Sequence, residues 1–386
     1  MSEYPLKLWK YVLEIKSGRN QKQVENPDGL YPIYGSGGIM GYADNFICNE
    51  GSTIIGRKGT INRPIYVDRK FWNVDTAFGL SPFNSLEGKF LYYFCLGYDF
   101  TKHDKGTTLP SLVKQDLLEN ILIPVPPIEE QKRIVEILDK AFEGIAQAEA
   151  NTRRNLINAR ELFDSYLNKF FANNQHWIET TVEKLVNNHI LAKPLDGNHG
   201  EIHPKKSDFV KAGVPFIMAS DLEEGQVNQE NCNFISRQQA DSLRKGFAID
   251  GDVLLSHKGT IGRTAILNTS HQNIVLTPQV TYYRIIDKTK IFNEFLYYYF
   301  KSQKFQRQIN DIASGGSTRA YIGITKQLDL KIVYTDLDIQ QETVQKFRSI
   351  EREIKKLETI YQRKLEAIAE LKQSILEKAF TGQLSQ

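Results

Sequence analysis

The sequence predicts an α+β chain built as a tandem repeat. Two globular segments are each followed by a long helix, and the two helices pair antiparallel as a coiled coil, relating the halves by a pseudo-twofold. The first supporting observation is internal self-similarity. Gly51-Ser-Thr-Ile-Ile-Gly-Arg-Lys-Gly-Thr-Ile-Asn-Arg63 lies over Gly251-Asp-Val-Leu-Leu-Ser-His-Lys-Gly-Thr-Ile-Gly-Arg263 at an offset of 200. Phe90–Tyr93 lies over Phe295–Tyr298 at 205, Gly106–Thr108 over Gly316–Thr318 at 210, and Glu161–Phe171 over Glu370–Phe380 at 209. A collinear series with small insertions means that one unit occurs twice. The second observation is a switch in composition. Pro124-Val-Pro-Pro127 closes a segment rich in glycine, proline and aromatic residues; Ile128–Phe171 then has no proline and one glycine, Gly144, and Leu337–Phe380 has neither. The third is length: 386 residues suit two or three domains at about 150 residues each.

In chain order, residues 1–127 form the first globular segment. Short β-branched or aromatic runs bounded by turn residues, Gly51–Ile55 and Pro64–Val67, read as strands, and Phe90–Gly97 as a helix. Residues 128–171 form the first long helix, entered through a proline that can start a helix but not sit inside one. Residues 172–336 form the second globular segment, with strands at Asp252–Leu255, Ile274–Leu276 and Val280–Ile286 and helices at Ser236–Lys245 and Asn293–Ile312. The aromatic runs Phe90–Phe94 and Phe295–Phe300 have helical spacing and belong to the cores rather than to a base-stacking platform. Residues 337–386 carry the second long helix.

Helices of 44 residues extend about 66 Å and need a partner along their length. Phe347, Ile350, Ile354, Leu357, Tyr361, Ile368, Leu371 and Ile375 form a heptad stripe. The matching stripe of the first helix is Leu138, Ala141, Ile145, Ala148, Thr152, Ala159, Leu162 and Tyr166, whose smaller members complement the larger ones opposite. The alternative is two independent amphipathic helices, each on its own domain. Asn151–Asn155 is polar on every side, a waist facing solvent or a partner.

Composition excludes several classes. Lys+Arg 49 against Asp+Glu 46, with 41% apolar residues, is ordinary globular composition and not disorder. No 18-residue apolar run and no signal peptide is present, so a cytoplasmic chain with no membrane contact is expected. Cys48, Cys95 and Cys232 are scattered and read as reduced core residues. Tyr34–Tyr42 reads as turn glycines rather than a phosphate loop, because its spacing is not G-x-G-x-x-G. Gly51–Lys58 fails as a Walker A loop, since Arg57 replaces the lysine and Gly59 the hydroxyl residue. His199 and His203 read as solvated loop histidines with no third ligand in view, so no metal site is expected. No nucleophile elbow, amino-methyltransferase signature or nuclease carboxylate cluster appears, and no catalytic residue is expected.

The order of these parts resembles the specificity (S) subunit of type I restriction-modification enzymes. Lys-Gly-Thr-Ile occurs in each globular segment, Pro-Val-Pro-Pro-Ile-Glu-Glu-Gln131 enters the first helix, and Leu371-Lys-Gln-Ser-Ile-Leu-Glu-Lys-Ala-Phe-Thr-Gly-Gln-Leu384 closes the second. Tyr31–Tyr42 also resembles a recurring opening of one class of these domains. The resemblance implies that each globular segment is a target recognition domain reading half of a bipartite double-stranded DNA site. It implies further that the helices set the spacer and dock two modification (M) subunits, with restriction (R) subunits joining through the M/S core. No cofactor is implied in this chain: S-adenosylmethionine would belong to M, and ATP and Mg to R. The second half departs from the pattern at Val333–Asp338 and at Arg319-Ala-Tyr321. A coiled-coil scaffold with duplicated protein-interaction domains is the main rival reading, and an enzyme with a concealed active site the third.

Each globular segment has nearly balanced charge, 14 basic to 13 acidic over 1–127 and 19 to 17 over 172–336, so a DNA surface must come from clustering. Arg57, Lys58, Gly59, Thr60 and Arg63, matched by His257, Lys258, Gly259, Thr260 and Arg263, place cations beside a glycine turn. Cations neutralise phosphates and glycine amides add close contacts; the alternative is a solvated basic turn. The loop after the aromatic helix supplies Lys105, Thr107 and Thr108 in one half and Ser317, Thr318 and Arg319 in the other. Short hydroxyls and arginine suit base edges and phosphates alike. Gln303–Gln308 presents a polar helix that is either a major-groove reader or a solvated face.

Overall fold

A computed structural model describes residues 4–172, 177–272, 274–314 and 321–384. The chain forms two compact units, residues 1–155 with 360–386 and residues 156–359.

In the first unit, β1 (Leu6–Leu8) pairs antiparallel with β9 (Leu122–Pro124), tying the start of the globular segment to its end. Strands β2 (Leu13–Ser17), β8 (Ala77–Pro82), β5 (Ser52–Gly56) and β6 (Ile65–Val67) form an antiparallel sheet in that order. A second sheet has order β4-β3-β7, from Gly38–Ala43, Tyr31–Gly35 and Trp72–Asn73, with β3 and β7 parallel. Ser36 and Gly37 make the turn between β3 and β4, and Gly38, at φ +129°, opens β4 opposite Gly35. Helix α1 (Gly88–Gly97) lays Phe90, Leu91, Phe94 and Cys95 on the core, and α2 (Lys114–Asn120) leads into β9.

The second unit repeats this plan with additions. Here β10 (Ile178–Thr181) pairs with β22 (Lys331–Tyr334). The sheet β11-β21-β18-β19 is built from Leu195–Asp196, Val280–Tyr283, Val253–Lys258 and Thr260–Ile266. The parallel pair β13 (Val214–Ile217) and β20 (Ile274–Leu276) sits in a five-stranded sheet with β12 (Phe209–Val210), β16 (Asn233–Ile235) and β17 (Phe247–Ala248). A small hairpin, β14 (Leu222–Glu223) and β15 (Gln226–Val227), and the helices α4 (Val182–Asn187) and α5 (Arg237–Ser242) complete the additions, with Ser236 capping α5. The aromatic helix is not one helix to residue 312. It breaks at Ser302 into α6 (Asn293–Lys301) and α7 (Gln303–Ser314), because the Ser302 hydroxyl donates to Tyr299 O and accepts from Phe305 N, ending one helix and capping the next. Helix α8 (Ile324–Leu328) leads into β22.

The long helices are α3 (Ile128–Ala172) and α9 (Leu337–Thr381), 45 residues each. They run antiparallel within each unit: Lys372 pairs with Glu149 in the first, and Arg160 with Glu358 in the second. The units cut across any linear division because the helix ends finish the cores. Phe380 lies 5.0 Å from Phe90 and 5.4 Å from Phe94 between ring centroids. In the second unit, Phe347 is fully buried against Phe163, Phe170, Phe171 and Tyr298.

The seam departs from the expected heptad stripe in both helices. Leu162, Tyr166, Leu357 and Leu371 are exposed, and in α3 Phe163 and Leu167 take the inward positions. An α-helix with 3.6 residues per turn drifts about 20° per heptad against a strict 3.5 repeat, so after Ala159 steps of four, through Phe163, Leu167 and Phe171, stay on the buried side. In the polar waist, Thr152 is buried and bonds Ala148 O while Asn151, Arg153, Arg154 and Asn155 are exposed.

Two buried glutamines, 209 residues apart, join each aromatic helix to the start of its long helix. Gln131 accepts from Glu87 N and donates to Ser85 O and Pro126 O. Gln340 accepts from Phe292 N and donates to Lys290 O and Thr335 O.

Candidate nucleic-acid interface

The sheet of the first unit delivers β5 to its end at Gly56, where the chain reverses through Arg57–Thr60. Gly59 has φ +77°, which an L side chain rarely adopts, and Cβ at Gly56 would meet Thr60 O at 2.1 Å. Pro64 cannot donate to a ladder, so β6 resumes only at Ile65 and leaves Asn62 and Arg63 outside it. Lys58, Thr60 and Arg63 are exposed. Arg57 lies along the surface, with its guanidinium on Asp75 O at 3.3 Å and 5.8 Å from the Phe78 ring centroid.

The structure brings the two expected clusters of the first half together. Lys58 bridges to Ser111, Gly59 N donates to Pro110 O at 3.0 Å, and Leu112 N to Arg57 O at 2.8 Å. The Gly59 amide, expected as a phosphate donor, is therefore engaged within the fold, and Gly59 serves the turn. The partner loop is a caged one. Asp104 Oδ1 accepts from Gly106 N and Ser111 N, which holds its carboxyl below the usual range. His103 is buried between Tyr98 OH (2.8 Å) and Asp116 Oδ2 (2.7 Å). Its hydrogen bond lowers the Asp116 carboxyl, and Lys105 adds a longer contact at 3.7 Å. The cage leaves Lys105, Thr107, Thr108 and Leu109 exposed at the tip.

The second unit repeats the device at the same offsets of 200 and 210: Lys258 bridges to Tyr321, and Ile322 N donates to His257 O at 3.0 Å. Ser317, Thr318 and Arg319 lie outside the described residues. Lys258 and Thr260 flank Gly259, at φ +79°, as an opposed pair at a tight hairpin tip. His257, expected as a contact, is withdrawn from any surface. It is fully buried beneath the Tyr321 ring, with Nδ1 on Ile322 O at 2.9 Å and burial depressing its pKa. Its place in the strand explains this: β18 is buried on both faces from Val253 to His257, with Tyr321 and Ile322 laid over the histidine, and only its last residue, Lys258, emerges. Arg263 is exposed, but its Nη1 already reaches Ala219 O and Ser220 O at 3.4 Å. The polar helix is largely committed: Lys304 pairs with Glu179, Gln306 holds Gly262 O and Phe300 O, and Gln308 holds Lys331. Arg307 remains exposed.

The sequence pattern of the type I restriction modification DNA specificity domain matches residues 9–159 and again 196–366. The chain belongs to this family. It carries two tandem specificity domains, as the internal repeat requires. It is 24% identical over 381 residues to the type I restriction enzyme MjaVIII specificity subunit of Methanocaldococcus jannaschii, covering 93% of this chain and 87% of that one. A putative type I specificity subunit of Haemophilus influenzae is 24% identical over 351 residues, covering 84% and 83%. A solved chain described under complex assembly and conformational transition of the type I R-M system superposes with a TM-score of 0.78 at 17% identity over 98% of both chains. The HsdS subunit of Thermoanaerobacter tengcongensis gives 0.58 at 17% identity, over 98% and 97%. These likenesses establish a shared fold.

All three cysteines are free and buried. No helix among the described residues is long and apolar enough to cross a membrane, and no group of metal-binding side chains occurs among them. Sequence reasoning passed over Asp104, whose spacing before Gly106 is an Asx-turn signal. It also passed over Lys205 and Lys206, which lie between β11 and β12.

Proposed function

We propose that this specificity subunit reads DNA with the two turn-and-loop surfaces, one for each half of a bipartite target, without catalysing methylation or cleavage itself. One observation carries the reading: the same bridge between a Lys-Gly-Thr turn and the loop after the aromatic helix is built in both halves, at Lys58–Ser111 and Lys258–Tyr321. Lys58, Thr60, Arg63, Lys105, Thr107 and Thr108 contact one half-site. Lys258, Thr260 and Arg263, with Ser317, Thr318 and Arg319, contact the other. The shared length of α3 and α9 sets the non-specific spacer, and Ile157, Leu162, Ile360 and Leu371, exposed apolar side chains on these helices, support docking of two M subunits. R subunits join through that core. S-adenosylmethionine is assigned to M, and ATP with Mg to R, in the cytoplasm.

Duplex binding in the presence of M, measured across salt concentrations, tests the reading. Preference for one bipartite sequence is expected, with a salt slope that falls by about one for each phosphate contact removed. Unchanged affinity and slope in both Lys58→Ala/Arg63→Ala and Lys258→Ala/Arg263→Ala remove the turns from the interface. The spacer role is tested by inserting four residues, about 6 Å of helix, at matched positions near Ala150 and Thr359. Methylation mapping is expected to show a spacer one or two base pairs longer with both half-sequences kept. An unchanged spacer ends the ruler reading.

A further inference from the structure

The second unit holds a cavity of about 730 Å³, a size suited to a small organic ligand. It is walled by Phe209, Phe216 and Met218, and Lys205, Lys206 and Lys258 stand at its lining with no carboxylate among the lining residues. Two buried polar atoms of the lining have no partner, Thr277 Oγ1 and His203 Nδ1; Thr277 is 3% exposed. A stranded buried hydroxyl or ring nitrogen is costly, so two on one cavity mark places for the hydrogen-bonding edge of a ligand. The His203 ring lies 5.7 Å from Phe216 and the Phe209 ring 5.9 Å from it, so the wall is aromatic and suits a flat ring.

We infer that this cavity binds a nucleotide, with the base against Phe209 and Phe216, its edge on Thr277 and His203, and the phosphate at Lys205, Lys206 and Lys258. An alkyl ligand would leave the two polar atoms stranded, and a neutral aromatic would make no use of the three exposed ammonium groups at the rim. The nucleotide has two possible sources: a free mononucleotide, or a residue swung out of a duplex that lies on the Lys258 turn. The second source rests on the DNA-reading function proposed above; the first does not.

The test uses the full chain and 2-aminopurine deoxyriboside 5′-monophosphate as a fluorescent probe. Saturable quenching is expected with a Kd below about 1 mM. It should weaken at least about tenfold in Lys205→Glu/Lys206→Glu, whose side chains are exposed and leave the fold intact, and in Phe209→Ala. The nucleoside without phosphate should bind less tightly than the probe, and inorganic phosphate should compete poorly. Absence of saturation, an equal Kd in both variants, or phosphate competing as well as dAMP overturns the inference. A duplex with 2-aminopurine opposite an abasic site assigns the source. A fluorescence change that disappears in the variants assigns the cavity to DNA, and its absence, with the mononucleotide still bound, assigns it to the free nucleotide. Duplex affinity is measured in parallel: mononucleotide binding without duplex binding sinks the DNA-reading function and leaves the cavity standing, and the converse sinks the cavity alone.

Discussion

The two Lys-Gly-Thr turns share a sequence, a glycine conformation and a bridge, yet they are supported differently. In the first unit the turn rests on a loop caged from outside by Asp104, His103 and Asp116, and Arg57 lies flat over Phe78. In the second, the position of Arg57 is taken by His257, fully buried 3.9 Å from Asp196, which also receives Lys245 and His199. Burial works against the charged Asp196, but Lys245 and His199 outweigh it and hold its pKa low. One local device has therefore been set on two different foundations, a surface cage and a buried charge cluster. The exposed lysine is what both foundations present.

The largest expected effect probes what the halves share. Gln131→Ala and Gln340→Ala each strand one amide and two carbonyls, and at about 1–3 kcal/mol per buried group each should lose on the order of 3 kcal/mol or more of stability. Chemical denaturation, with hydrogen exchange locating the loss at α1 or α6, should show similar losses. A strongly unequal pair breaks the equivalence.

A smaller effect separates the turns by their arginines. Arg63 is exposed outside any strand, whereas Arg263 already reaches two carbonyls. Lys58→Ala/Arg63→Ala should therefore lower the salt slope of DNA binding by about two, and Lys258→Ala/Arg263→Ala by between about one and two, because Arg263 shares its guanidinium between DNA and the two carbonyls. Equal slopes would mean that Arg263 leaves its carbonyls on binding.

The foundations should also differ in acid. His257 has a folded pKa depressed by burial, so below the unfolded value of about 6.5 the unfolded state binds the extra proton and stability falls with pH. Between pH 7.5 and 5.5 the melting temperature of the second unit should drop, and less so in His257→Gln. An identical pH profile for the variant would place the sensitivity elsewhere.

The smallest expected effect is Lys105→Ala. Its 3.7 Å pair with Asp116 involves a largely exposed ammonium group and should contribute less than about 1 kcal/mol, while the salt slope for the first half-site falls by about one. A large loss of stability would make Lys105 part of the cage rather than of its outer surface.

The repeat, the long helices and their pairing were legible because they rest on information local to the chain: a collinear offset, proline punctuation and apolar spacing. Gln131 and Gln340 were open to the same reading, standing 209 apart. Tertiary structure decided what local pattern leaves free. Whether Leu162 or Phe163 faces inward depends on helical drift accumulated over several heptads. His257 is buried while Lys258 is exposed because β18 is covered on both faces up to the histidine by distant segments, Tyr321 and Ile322 among them, and the motif alone carries no mark of where that cover ends. The Gly59 amide is taken by Pro110, 51 residues away, and the cavity beside Lys258 is lined from β12, β13 and β16, of which β12 is an addition to the plan of the first half. Such contacts depend on which surfaces the folded chain brings together, a matter of long-range packing that no short stretch of sequence determines.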